Sequence, residues 1–220
     1  MKTRPHLAMF DMDRTLLSKE TASLYVRYQL EIGEATAMDL ARTIGWVLRY
    51  TVGMLDMNKV GRRAVRSLEG VPEVVMSTRC DDWFRRSVEH YLTDGGRRAV
   101  AEHQARGDVC AIVTGASSYA SRPLARLLGI EHVVSTVFEV DENAVFTGRA
   151  IEPFCFGVGK LERARNLARE LDLSFEDATF YTDSISDLPL LEAVSRPVAV
   201  NADPRLRRIA RARGWPIESW

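Results

Sequence analysis

Leu7-Ala8-Met9-Phe10 is an unbroken apolar run that stops at Asp11-Met12-Asp13-Arg14-Thr15. Such a run reads as a buried strand delivering two carboxylates to the edge of a sheet. In parallel α/β sheets, ligands bind at the carboxyl ends of the strands. Two acids two residues apart can share a divalent cation, or divide nucleophilic and acid/base roles between them. The same residues also fit a plainer arrangement, with Asp13 capping a helix and Asp11 in a solvated loop.

The pattern recurs near the other end of the chain. Thr179-Phe180-Tyr181-Thr182 runs into Asp183-Ser184-Ile185-Ser186-Asp187, and an apolar, helix-like stretch follows from Leu188. If both strands lie in one parallel sheet, Asp11, Asp13, Asp183 and Asp187 converge on one edge. That many carboxylates repel unless a cation lies among them. Oxygen ligands without Cys or His nearby suit magnesium rather than zinc. Two smaller signals lie between. Val109 to Val113 is an apolar strand pattern ending at Thr114-Gly115 before a helix start, where a hydroxyl and free backbone N–H groups can hold a phosphate oxygen or simply cap a helix. Gly157-Val158-Gly159-Lys160 opens a helix with a cation set against the helix dipole, which makes sense beside a bound anion.

Between these motifs the periodicity changes. Residues 18–91 read as helix only: Glu20 to Glu31, with Leu24, Tyr25, Tyr28 and Ile32 on an apolar face; Ala37 to Val52; Asn58 to Leu68; and Pro72 to about His90. From Asp94 onward strands alternate with helices, interrupted by a hairpin pattern over Val137 to Gly148. The expected fold is therefore α/β, a doubly wound, mostly parallel sheet with an inserted all-helical cap subdomain. Its core comprises residues 1–17 and 92–220, and the cap is a helical bundle over 18–91.

Taken in order, Asp-x-Asp-x-Thr, the strand-end Thr114, Gly-x-Gly-Lys and Asp-Ser-x-x-Asp resemble the four motifs of the haloacid dehalogenase superfamily of phosphohydrolases, with its Rossmann-like core. The position of the helical insert makes the phosphoserine-phosphatase-like subfamily the nearest resemblance. The resemblance implies a magnesium-dependent phosphomonoester hydrolase that works through an aspartyl-phosphate. By position, Asp11 matches the nucleophile and Asp13 the general acid/base. Asp11, the Asp13 backbone carbonyl and Asp183 match the metal ligands, with Asp187 supporting them. Thr114, Gly115, Lys160 and Ser186 match the phosphate-binding set. Glu20 falls where the subfamily places a cap acid for a substrate ammonium, or is simply a helix-start acid, and Arg62 is taken, among the nearby Arg63 and Arg66, as the partner for a substrate carboxylate, although counting back from Pro72 puts Ala64 at the expected place, a mismatch that counts against phosphoserine. Three positions depart from the pattern: Arg14 and Thr182 stand where glycine is usual, and Ser186 where phosphoserine phosphatases carry asparagine. Arg14 is expected on the surface.

The expected substrate is a small phosphorylated metabolite, an amino-alcohol phosphate such as phosphoserine or histidinol phosphate. The resemblance also admits a lipid-phosphate phosphatase of the phosphatidylglycerophosphate type, a non-catalytic phosphate-binding module, or a phosphotransferase. An apolar helix bearing Trp46, Leu48 and Met54 suits a bundle core or, less simply, a lipid tail. Thirty basic and thirty acidic residues cancel, leaving no electrostatic footprint for nucleic acid. No apolar stretch is long enough to span a bilayer. Three scattered cysteines offer neither a disulfide framework nor a zinc site. Nothing at the N-terminus reads as a signal peptide, so the expected location is cytoplasmic.

Overall fold

The computed structural model describes residues 5–36, 38, 41, 45 and 57–220. Seven strands form one sheet: β1 (Leu7–Phe10), β2 (Val109–Ser117), β3 (His132–Val140), β4 (Phe146–Ile151), β5 (Thr179–Thr182), β6 (Arg196–Val200) and β7 (Ile217–Glu218), in the order β4-β3-β2-β1-β5-β6-β7. All pairings are parallel except β3 with β4. The earliest strand is thus the central one, flanked by β2 and β5. It is apolar throughout because both its faces are covered. Leu7 and Met9 join one buried cluster, Ala8 and Phe10 the other.

The helices divide between those clusters. Val100 of α4 (Asp94–Ala105) and Leu124 of α5 (Ser118–Leu128) pack with Phe10. Ala164 of α6 (Val158–Glu170), Leu190 of α7 (Leu188–Leu191) and Leu206 of α8 (Pro204–Arg213) pack with Met9. This is the doubly wound arrangement that the alternating pattern leads one to expect. Its local signals are ordinary capping chemistry. Ser117 caps α5 by accepting from Ala120 N, and Asp203 caps α8 by accepting from Arg205 N and Leu206 N. Two elements differ from the sequence reading. The hairpin grows out of β3 itself, a single strand that runs to Val140, and β7 adds a short parallel edge beside β6.

Between β1 and β2 lie α1 (Thr21–Glu31), α2 (Met57–Arg66) and α3 (Glu73–Trp83), then tighter and wider helical turns through Tyr91. The helix read over Ala37 to Val52, with Trp46, Leu48 and Met54, lies outside the described residues. The ends of this segment meet. Ser18 N donates to Tyr91 O at 2.8 Å, Thr93 N donates to Leu16 O at 2.8 Å, and Leu17 bridges to Leu92. A second seam joins it to the hairpin: Gly70 N donates to Phe146 O, Phe146 N to Val71 O and Glu73 N to Ala144 O. Tyr119, Phe138 and Phe146 form an aromatic cluster behind that seam, and the Tyr119 hydroxyl donates to Glu73 at 2.7 Å. No helix among the described residues is long and apolar enough to cross a membrane. All three cysteines are free thiols and buried.

Candidate active site

At the carboxyl end of β1 the chain reverses through one wide turn, Met12–Leu16. Asp11 is anchored there by its own N–H, which donates to Tyr181 O of β5 at 2.8 Å. Its side chain is buried rather than solvated. The Asp13 carboxylate accepts from Thr21 N at 2.8 Å and from the Thr21 hydroxyl at 3.1 Å, so it also caps the first turn of α1. The capping contact is therefore present, in a residue that also lines the cavity. Arg14 follows with φ +56°, a left-handed conformation uncommon for a side-chain-bearing residue.

Lys160 reaches the same point from the first turn of α6. Its ammonium, 4% exposed, donates to Asp11 Oδ1 and to Asp187 Oδ2, each at 2.7 Å. Two glycines make the approach possible. A Cβ on Gly159 would lie 2.1 Å from the Phe154 carbonyl oxygen, and one on Gly115 would lie 2.1 Å from the Phe156 ring. The same Asp187 oxygen accepts from the Thr182 hydroxyl at 2.7 Å, which gives the threonine found in place of glycine a definite task. Asp203 ties the Asp183 loop to α8: its N–H donates to Asp183 O, and its carboxylate accepts from Ile185 N at 2.7 Å. Thr114 is buried at the end of the apolar part of β2, where its hydroxyl accepts from Ala116 N. Ser186 exchanges a hydrogen bond with Ser184.

The acids carry a shared electrostatic load. Burial pushes the Asp11 carboxyl up; Lys160 pulls it back and Asp187 pushes it further up. Burial also raises Asp183, reinforced by Asp11 and Asp187 and opposed by Arg14. Asp13 is raised to about 6 by burial, against the two Thr21 hydrogen bonds. Burial would lower the Lys160 ammonium, but Asp11 and Asp187 hold it well above its ordinary range. Four carboxylates thus face Lys160 and the Arg14 guanidinium, which lies 3.4 Å from Asp183 Oδ2. Lys160 takes one oxygen of Asp11, Oδ1, and one of Asp187, Oδ2. That surplus of oxygen lone pairs and negative charge fits a hard divalent cation. Among the described residues no three His, Cys, Asp or Glu side chains are gathered as a chelate. Such an ion would therefore rest on two carboxylates and backbone oxygen.

These groups open onto a cavity of about 700 Å³. Asp11, Asp13, Thr114, Gly115, Lys160, Asp183, Ser186 and Asp187 all line it, and so does Glu20. Arg62 does not. It points outward from α2 and pairs with Glu152 at 2.9 Å, while Ala64, Ser67 and Leu68 face the cavity. Two residues along a helix turn the side chain about 200° away, so the Arg62 assignment is corrected here. Arg14 is exposed, as expected, and also borders the cavity within 3.6 Å of Glu20. Tyr25, Arg79, Trp83, Phe138 and Arg205 also line it and went unrecognised in the sequence. Only tertiary packing brings them together.

Comparison with known proteins agrees with this geometry. The family model of haloacid dehalogenase-like hydrolase matches residues 8–192. A histidinol-phosphatase of Neisseria meningitidis serogroup C is 27% identical over 96% of this chain and 97% of its own length. A phosphoserine phosphatase of Mycobacterium tuberculosis is 29% identical over 97% of this chain and 70% of its own. A crystal structure of a protein of unknown function from Bordetella pertussis Tohama I superposes with a TM-score of 0.87 at 32% identity, covering 98% of this chain and 99% of that one. With its doubly wound sheet, its two acid-terminated strands and these relatives, the chain belongs to the haloacid dehalogenase-like hydrolases, in their phosphoserine-phosphatase-like branch.

Proposed function

We propose that the protein is a magnesium-dependent phosphomonoester hydrolase acting on an amino-alcohol phosphate, with residues 1–17 and 92–220 as its catalytic core and 18–91 as a cap. The observation that carries this reading is the buried Asp11, held at 2.7 Å by Lys160 beside a cavity that Asp13 and Asp183 also line. Asp11 attacks phosphorus in line and forms an aspartyl-phosphate as the bond to the alcohol oxygen breaks. Asp13 protonates the departing alcohol, then takes a proton from the water that hydrolyses the intermediate. A carboxyl held near 6 suits both duties close to neutral pH. Thr114 and Lys160 hold the phosphoryl oxygens and stabilise the charge of the transition state, with Gly115 and Ser186 contributing to the same cradle. The Asp11 and Asp183 carboxylates and the Asp13 backbone carbonyl would hold the magnesium ion, with Asp187 bracing Lys160 behind them. Bound there, the ion supplies charge neutralisation for an anionic ester approaching an anionic nucleophile. Glu20, on the cavity wall, would receive the substrate amine.

The test is phosphate release from phosphoserine, histidinol phosphate and a chromogenic aryl phosphate, with magnesium, with chelator, and with Asp11→Asn. Magnesium-dependent release abolished by the substitution is the expected result. Release that survives Asp11→Asn would overturn the nucleophile assignment, and release indifferent to chelator would overturn the metal.

A further inference from the structure

Four non-glycine residues among those described have a positive φ: Arg14, Ala144, Asp172 and Asn201. Two of them share a hydrogen bond although they stand 187 residues apart: the Asn201 amide Nδ2 donates to the Arg14 carbonyl oxygen at 3.0 Å. A left-handed arginine is strained, and such outliers persist where the surroundings over-determine them, clustering at active sites. Asparagine tolerates the same region far better. The Asn201 amide is itself held from behind. Its Oδ1 accepts from Trp220 N at 3.0 Å, and the Asn201 backbone N–H donates to Glu218 O of β7 at 2.9 Å. The fold makes room for Trp220 there. Its ring centroid lies 5.3 Å from that of Tyr181, and a Cβ on Gly95 of α4 would come within 2.4 Å of it. One amide thus ties the turn after β1 to the far edge of the sheet.

The same connection between β6 and α8 holds the other acid-bearing loop. Asp203 donates its N–H to Asp183 O at 2.8 Å and accepts from Ile185 N at 2.7 Å. Residues 201–203 therefore grip both loops that carry the proposed magnesium ligands: Asn201 the one with Asp13, Asp203 the one with Asp183. Rotation about the Arg14 N–Cα bond, at φ +56°, sets how the Asp13–Arg14 peptide plane stands relative to the carbonyl that Asn201 holds. The oxygen of that peptide is the Asp13 carbonyl. Releasing the Arg14 carbonyl would let the plane turn as Arg14 relaxes toward the regions a side-chain-bearing residue prefers.

Resting on the magnesium-dependent reading above, we propose that Asn201 is a positioning residue of the metal site. Its amide locks the left-handed turn at Arg14 and so fixes the Asp13 carbonyl relative to Asp183. Asn201 is not among the residues that line the cavity, so it acts through Arg14 and not on the substrate.

Two variants separate this role from general stability. Asn201→Asp keeps an acceptor for Trp220 N and tolerates the left-handed backbone, but replaces the donor to Arg14 O with an oxygen. Asn201→Gly keeps the backbone conformation and adds no charge. Magnesium affinity is measured by isothermal titration calorimetry on the full chain, alongside melting in chelator and phosphate release from an aryl phosphate. Removing a group that orients a metal ligand typically costs about 10–100-fold, so a loss of about tenfold or more in magnesium affinity is expected in both variants. The added carboxylate of Asn201→Asp would by itself favour a cation, so weaker binding there reports geometry. A role confined to stability would lower the melting temperature and leave the affinity of the folded protein alone. A smaller loss of affinity in either variant overturns the proposal. Magnesium-dependent release by the unaltered protein, next to that outcome, leaves the phosphatase reading standing. Unaltered protein that binds no magnesium overturns both.

Discussion

Replacing Lys160 with Met removes the shared counter-ion of Asp11 and Asp187 while keeping much of the side-chain volume. Both ion pairs are 2.7 Å long, and all three side chains are less than a tenth exposed. Breaking a buried pair by deleting one partner typically costs about 3–5 kcal/mol, because a charge is left without compensation. In a chain of 220 residues each kcal/mol moves the midpoint by about 2–4 °C, giving an expected fall of roughly 6–20 °C at pH 8. The loss should depend on pH with a definite sign. Without the ammonium, burial leaves the Asp11 carboxyl with a folded-state pKa raised above the ordinary 3.8. A raised pKa contributes stability that is present at low pH and lost as pH rises through the folded value. The deficit of the variant should accordingly be largest at pH 8 and shrink markedly at pH 5. Thermal unfolding followed by circular dichroism, in chelator so that no ion substitutes for the lysine, reads this directly. A fall under about 3 °C at pH 8, or an equal fall at both pH values, would refute the view of Lys160 as counter-ion.

Other outcomes follow from the same packing. Gly159→Ala places a Cβ 2.1 Å from the Phe154 carbonyl, so the loop must move; a loss of about 1–3 kcal/mol in denaturant titration is expected, with a lower kcat/KM because Lys160 moves too. Phe146→Ala empties a site 2% exposed between Tyr119 and Phe138 and should cost about 3–5 kcal/mol in the same titration. His103 is held neutral by burial, which lowers its pKa from 6.5 against the raising influence of Asp108. Its contribution is present above pH 6.5 and lost as pH falls below that value. The difference in melting temperature between the unaltered protein and His103→Gln should therefore narrow on going from pH 7.5 to pH 5.

What could be read from the residues was whatever one segment states by itself. The apolar runs ending at Asp11 and Asp183 declared buried strands, and strands that end in acids belong at the working edge of a parallel sheet. Lys160 was anomalous against its helix dipole, and the anomaly was informative: two of the protein's own carboxylates answer it. The rest depended on helical phase and on distant partners. Arg62 and Ala64 stand two residues apart in the chain but lie on opposite sides of α2, and it is Ala64, the position reached by counting back from Pro72, that faces the cavity. The aromatic wall is assembled from α1, α3 and β3, whose residues meet only after folding. Thr182 read only as a departure from the usual glycine, and its hydroxyl holds Asp187.

The central position of β1 sets when the sheet can close as the chain is made. Leu7 pairs with Val109, 102 residues downstream, and Phe10 pairs with Tyr181, 171 residues downstream. This wholly apolar strand must wait on one edge until β2 has left the ribosome and on the other until β5 has. The nascent protein is therefore most prone to aggregation through its earliest segment. Asp11 cannot meet Asp183 until that wait is over, so fragments ending before the fifth strand should be both insoluble and inert.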